Sequence, residues 1–223
     1  MAIKNMKKHI AIQYIFYGFF VTTLSFLFYA CIEPVIVTAV SDDVGVSQSV
    51  ASEIAISSPT DITMSPEISG LTGGMGDGSA TWTVTTNDTS GFNLSLKALT
   101  SPALVSGSYN FADYTIAAAV PDFTWNIAGD VSEFGFTVEA ETVTDLVSDF
   151  LDDGSVCGAG VLDTVNSCWG GFSTSDQTVI NRTSQTDLSG EDEVVKFRAE
   201  SGASRFQEFG EYVATITVTA VTN

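Results

Sequence analysis

Apolar and polar residues alternate one by one through much of this chain, and that period limits what it can fold into. In Ala80-Thr81-Trp82-Thr83-Val84-Thr85 and in Phe92-Asn93-Leu94-Ser95-Leu96-Lys97-Ala98 every second residue is apolar. A strand points alternate side chains to opposite faces, so such runs have one apolar and one solvated face. Asn87-Asp88-Thr89-Ser90-Gly91 between them carries turn residues, which predicts a β-hairpin over 79–98 with Trp82, Val84, Phe92 and Leu94 facing a core.

The same period predicts strands at 52–57, 60–64, 113–119, 123–128, 134–141, 177–182 and 193–200. It predicts a last strand within 210–221, where Tyr212, Ala214, Ile216, Val218 and Ala220 share a face. Residues 69–80 are rich in glycine and read as a flexible loop. That glycine run leads into a strand rather than a helix, which argues against a phosphate cradle. Val143, Leu146, Val147, Phe150 and Leu151 follow helical spacing, which predicts a short helix over 142–151 with Thr142 or Thr144 as N-cap. Eight to ten short strands with one short helix predict an all-β chain. The expected fold is an antiparallel β-sandwich, immunoglobulin-like or jelly-roll, with a helix-and-disulfide insertion at about 142–176.

The first 39 residues read differently. Lys4, Lys7 and Lys8 precede an uncharged stretch over 10–32, the order of a secretory signal. Pro34 would stop a helix and Val37-Thr38-Ala39 offers small residues for cleavage, so the expectation is a signal over 1–39 and a mature domain over 40–223. Two alternatives stay open. The apolar run is long enough to remain as a membrane anchor, and Cys31 follows Ala30 as in a lipidated N-terminus.

Charge and cysteines narrow the chemistry. The 223 residues carry 8 Lys+Arg against 27 Asp+Glu. From residue 40 onward, Lys97, Arg182, Lys196, Arg198 and Arg205 face 26 acids, a balance of −21. Such a surface repels phosphate backbones, which argues against a nucleic-acid partner. The single histidine is His9, so a mature chain would lack the Ser-His-Asp triad and His-ligated metals. Cys157 and Cys168 flank a loop rich in Gly, Asp and Asn, and in an oxidising compartment they are expected to pair.

Each remaining candidate site has a plain structural reading beside it. Glu133, Glu139, Glu141 and Glu200 are the acids a glycosidase would need, and alternation places Glu139 and Glu141 on a solvated face. Asp149, Asp152 and Asp153 crowd a turn that could hold Ca²⁺, or could simply serve the turn; Glu191-Asp192-Glu193 is a second such knot. No other cofactor is expected. Trp82 and Trp125 alternate in phase with aliphatic residues and read as core. Trp169 lies in a loop next to Cys168, with Phe172 close behind, and these two are the expected ligand contacts.

Residues 56–64, the glycine run, 80–87 and 210–218 resemble exported bacterial surface proteins, in particular WxL-type wall-binding domains and secreted sandwiches of the spore-coat-protein-U or pilus-subunit type. Trp82-Thr83-Val84 and Trp125-Asn126-Ile127 depart from the Trp-x-Leu pattern, and no binding residue is carried over. The pilus likeness implies assembly by strand addition, for which 41–57 is the candidate donor. The resulting expectation is a non-catalytic secreted or cell-surface structural or adhesive protein, with a surface polymer or other subunits as partner. The membrane would be involved only through an uncleaved N-terminus. A calcium-dependent carbohydrate-binding module is the alternative, and a carboxylate-only glycosidase comes third.

Overall fold

A computed structural model describes residues 2–30 and 39–223. Cys31, Pro34 and the first two residues of Val37-Thr38-Ala39 lie outside them. The chain divides into two units, Met1–Ser49 and Val50–Asn223. The first contains one helix, α1 (Ala2–Ala30). Residues 39–53 have no regular structure and are exposed throughout.

The second unit is a β-sandwich. Its larger sheet has seven strands: β1 (Ile54–Ile56), β2 (Gly74–Thr86), β4 (Leu104–Ser106), β5 (Tyr109–Asp113), β6 (Ser132–Ala140), β7 (Gly170–Gly171) and β9 (Glu191–Ser201). They run β1-β2-β9-β6-β5-β4, with β7 also on β6. The smaller sheet is β10-β3-β8, made of β3 (Phe92–Ala98), β8 (Gln177–Arg182) and β10 (Ile216–Thr222). Pairing is antiparallel except between β5 and β6. One core lies between the sheets, built from Ala80 and Val84 of β2, Phe92, Leu94 and Leu96 of β3, Phe136 and Val138 of β6, Val179 and Ile180 of β8, and Val195 and Phe197 of β9. Tyr212, Ala214, Ile216, Val218 and Ala220 pack against it from the last segment, as the alternation predicts.

Alternation places the faces but not the partners. Trp82, Val84, Phe92 and Leu94 do face the core, yet β2 and β3 are not a hairpin: β2 pairs with β1 and β9, and β3 with β10 and β8. Asn87–Gly91 therefore carries the chain from one sheet to the other. Asp88 Oδ1 accepts from Ser90 N–H, and the Asp88 carbonyl accepts from Gly91 N–H, which tighten that corner.

Only the start of the glycine run is a loop: 69–73 make a turn in which Gly73 N–H donates to the Ser69 carbonyl, and the rest is strand. Gly74, Gly76 and Gly78 lie in β2, opposite Ser201, Ala199 and Phe197 of β9. A Cβ on Gly76 would stand 2.8 Å from the Pro66 carbonyl oxygen, and one on Gly78 2.7 Å from Ile62 Cγ2. The glycines leave room for 62–68, whose Met64 and Ile68 pack on the core. Residues 60–64 consequently overlie the sheet without forming a strand.

Residues 113–119 and 123–128 are also not strands, apart from Asp113 at the end of β5. They are held by side chains, with Tyr114 and Trp125 stacked on each other. The helix expected over 142–151 is instead two single 3-10 turns, Val143–Asp145 and Ser148–Phe150. Leu146 and Val147 between them are extended. Leu146 bridges to Ile180 and Val147 N–H donates to the Val179 carbonyl at 3.0 Å, so sheet bonding replaces the helical bonds. Thr142 makes no side-chain cap; its hydroxyl donates to Glu191.

Candidate functional site

Four places could do more than support the sandwich. The first is the outer face of the large sheet. Odd-numbered residues of β9 face the core, so Lys196, Arg198 and Glu200 point outward. Gly135 of β6 offers no side chain there, and a Cβ on it would meet Tyr114 Cβ at 2.7 Å and Trp125 at 3.0 Å. Tyr114, Trp125 and Trp169 close over this spot as a second small core with Ile116 and Ile127. Trp125 stacks on Tyr114 at 4.1 Å between ring centres and meets Trp169 edge-on at 5.3 Å. Trp125 Nε1 donates to Glu200 at 2.6 Å, and Tyr114 Oη donates to Asp122 at 3.0 Å. Burial, reinforced by the Asp122 carboxylate, pushes the Tyr114 hydroxyl up to about 12.

Trp169 is therefore not the exposed aromatic expected from its loop position. It is 1% exposed; its indole N–H donates to the Asn166 carbonyl and its backbone pairs with Asp122. Arg198 covers its ring. Phe172 is likewise interior, stacked with Phe134 at 4.8 Å and packed on Phe136 and Phe197. The disulfide beside them forms as expected, joining Cys157 and Cys168 with 5.6 Å between Cα atoms and both residues in the core. Above Trp169 lies a half-open hollow of about 330 Å³ walled by Asp77, Ser79, Asn166, Lys196 and Arg198. Its charges are matched within the protein: Arg198 grips both Asp77 oxygens, and Lys196 pairs with Glu139 and also donates to Asn166 Oδ1.

The second place is the aspartate turn. Asp152 is buried and accepts from Gly154 N–H, Thr164 N–H and the Thr164 hydroxyl. Burial pushes its carboxyl up, but these hydrogen bonds outweigh it and hold it below the usual range. Asp153 accepts from the Ser155 hydroxyl and the Val156 and Ser155 N–H groups, which hold it low as well. Asp149 is exposed. The first two carboxylates thus serve turn backbone, and among the described residues no three His, Cys, Asp or Glu side chains are grouped to hold a metal ion.

The third place is the Glu191-Asp192-Glu193 knot, expected as a calcium site or a turn. Glu191 and Glu193 are in phase with Val195, Phe197 and Ala199 and point into the sandwich. Arg182 reaches from β8 to Asp145 Oδ2 at 2.7 Å and to Glu191 Oε1 at 2.9 Å. Glu193 has 0% exposure, and neither carboxylate oxygen has a hydrogen-bond partner. Burial pushes it up to about 8; the charges of Asp145 and Glu191 add to the rise, and Arg182 only partly offsets them. The signal was the parity of Glu193, in step with three apolar residues.

The fourth place is a sheet edge. Leu99 N–H donates to the Thr215 carbonyl and Asn223 N–H to the Gly91 carbonyl. With the register Lys97↔Thr217 and Ser95↔Thr219, the odd residues of β10 bond to β3. The backbone groups of Ile216, Val218, Ala220 and Thr222 then point the other way, where no strand pairs among the described residues. The opposite edge of this sheet, β8, is partly covered by Leu146 and Val147, and β4 is met by Val213.

Of the four acids considered for glycoside hydrolysis, Glu139 pairs with Lys196, Glu200 accepts from Trp125 and Glu141 Oε2 accepts from Asp192 N–H. Burial raises the Glu133 carboxyl.

Comparison with protein-family models, with curated proteins and with solved structures finds no match to this chain.

Proposed function

We propose that this protein is an exported, non-catalytic structural or adhesive component of a cell surface, acting through assembly of copies by strand addition. The observation that carries this reading is the unpaired edge of β10, which β1 approaches without pairing. It is seven residues long, contains only Ile, Thr, Val and Ala, and turns four residues' backbone groups outward. A long, uncharged edge is a template for another strand, and proteins that avoid association normally shorten, charge or cover it.

A candidate occupant exists in the same chain. Val40, Val44, Val46 and Val50 are 83–91% exposed, and they share the parity of Ile54 and Ile56 in β1. Residues 40–53 thus continue that phase at four of seven even positions, with Asp42, Gln48 and Ser52 at the others, ahead of a strand that itself covers only three residues. An extended segment of this kind, added to the β10 edge of a second copy, would satisfy the outward N–H and C=O groups.

The interior position of Trp169 and Phe172 speaks against the carbohydrate-binding alternative, since the ring face a sugar would stack on is taken by Arg198. Sedimentation of the exported protein over a concentration series tests the assembly reading. Mass that rises with concentration is expected. A monomer at every concentration would contradict it.

A further inference from the structure

We propose that Glu193 makes the junction between the two sheets a proton-dependent latch, closed while its carboxyl is protonated and released at residues 143–150 when it ionises.

The groups around Glu193 come from every element packed there. On β9 its in-phase neighbour is Glu191; β2 places Trp82 opposite it and β6 places Ala140, with Glu141 following. The 143–145 turn contributes Asp145, and β8 contributes Arg182. Arg182 is the one cation in this set, and four of its five N–H donors are already engaged. Nε donates to the Ser184 carbonyl at 3.0 Å, Nη1 to Asp145, and Nη2 to Glu191 and the Gln185 carbonyl. One guanidinium thus already faces two carboxylates, and an ionised Glu193 would be a third anion with no protein donor.

A carboxylate in that position must be hydrated, because an unpaired buried charge is too costly to keep. The walls differ in how readily they can open. β2, β9 and β6 form a continuous ladder beside Glu193. The 143–150 wall is two single 3-10 turns, tied to β8 by the Asp145–Arg182 pair, the Leu146–Ile180 bridge and one Val147-to-Val179 hydrogen bond. It is the wall with the fewest backbone ties, and moving it draws Leu146 and Phe150 from the core and uncovers the edge of β8.

The sign follows from the raised carboxyl. The closed form holds the proton up to about pH 8, whereas a hydrated glutamate loses it near 4.5. Opening is therefore favoured progressively as pH rises between these values and no further above them.

Amide hydrogen exchange of the exported protein and of Glu193→Gln, compared at equal pH so that intrinsic exchange cancels, tests the latch. Protection at Val147 in the wild type is expected to fall relative to the variant by up to about tenfold per pH unit between about pH 5 and 8, then level off. The β3–β10 amides should show no such difference. Parallel behaviour of the two proteins, or an equal loss across β3 and β10, would overturn the proposal. The carbon-13 shift of the Glu193 carboxyl gives a second reading in the wild type alone. A midpoint near 8 is expected, and an ordinary midpoint near 4.5 would overturn the latch.

Discussion

The Arg198 guanidinium lies 4.3 Å from the ring centre of Trp169, held there by Asp77 Oδ1, 2.7 Å from Arg198 Nε. Arg198 joins three parts of the protein: its own strand β9, the neighbouring β2 through Asp77, and the disulfide segment through the indole. An Arg stem can cover apolar surface while its head stays paired. The result is that the outer face of the large sheet has a core of its own.

Trp169→Ala should destabilise the protein by about 3–5 kcal/mol, because it removes a large, almost fully buried side chain. Arg198→Ala should cost less, about 1–2 kcal/mol, the scale of a partly desolvated cation–π contact. Urea denaturation of both variants checks the order; equal costs would mean that Trp169 is not enclosed.

Reducing Cys157–Cys168, or replacing both with Ser, should lower stability by roughly 2–3 kcal/mol in the chain-entropy account of an 11-residue separation. The denaturation midpoint with and without reductant reports it. The 163–169 segment should loosen first, seen as loss of the Trp169-to-Asn166 hydrogen bond by indole N–H exchange.

Gly78→Val should destabilise by about 1–3 kcal/mol, since its Cβ would stand 2.7 Å from Ile62 Cγ2 and 3.1 Å from Met64 Cγ. Gly107→Val, where nothing lies within 4 Å but φ is +60°, separates backbone strain from crowding. Both should cost stability, but only the first should shift the Met64 methyl resonance.

Stability should peak in mildly acidic solution. Asp163, pushed up to about 6 by burial and by the charges of Glu139 and Asp152, binds its proton more tightly folded than unfolded. Its destabilising effect grows as pH rises from 3.8 through about 6, and that of Glu193 grows from 4.5 to about 8. Asp88, Asp152 and Asp153 act oppositely: their carboxyls are held low, so their support is present above 3.8 and is lost as pH falls below it. Melting temperature from pH 2 to 9 should therefore rise and then fall. Asp163→Asn should raise it most on the neutral side.

The sequence already carries the strand faces, because a period of two is local. It does not carry the partners. Trp82 and Phe92 read as a hairpin because only a turn separates them, yet each finds better neighbours far along the chain. Gly76 and Gly78 read as a loop because a missing side chain looks the same whether it frees the backbone or admits another segment. The 142–151 stretch has helical spacing, but Leu146 and Val147 gain sheet bonds with β8. Trp169 misled through its context: a residue in a loop is not exposed when two other loops and an arginine close over it. Glu193 was legible in its parity, but the neighbouring acids made the run read as a calcium knot or a turn.

Ala220→Pro bears on the proposed assembly. The N–H of Ala220 points away from β3, so proline there removes no ladder bond within the sheet. The variant should fold normally, with a melting temperature close to wild type, and stay monomeric at concentrations where the wild type associates.

Hydrogen exchange of the exported protein at dilute and at assembling concentrations tests the central claim most directly. New protection is expected at the amides of Ile216, Val218, Ala220 and Thr222, together with residues 40–50. Association that leaves those four amides as exchangeable as in the monomer would contradict it.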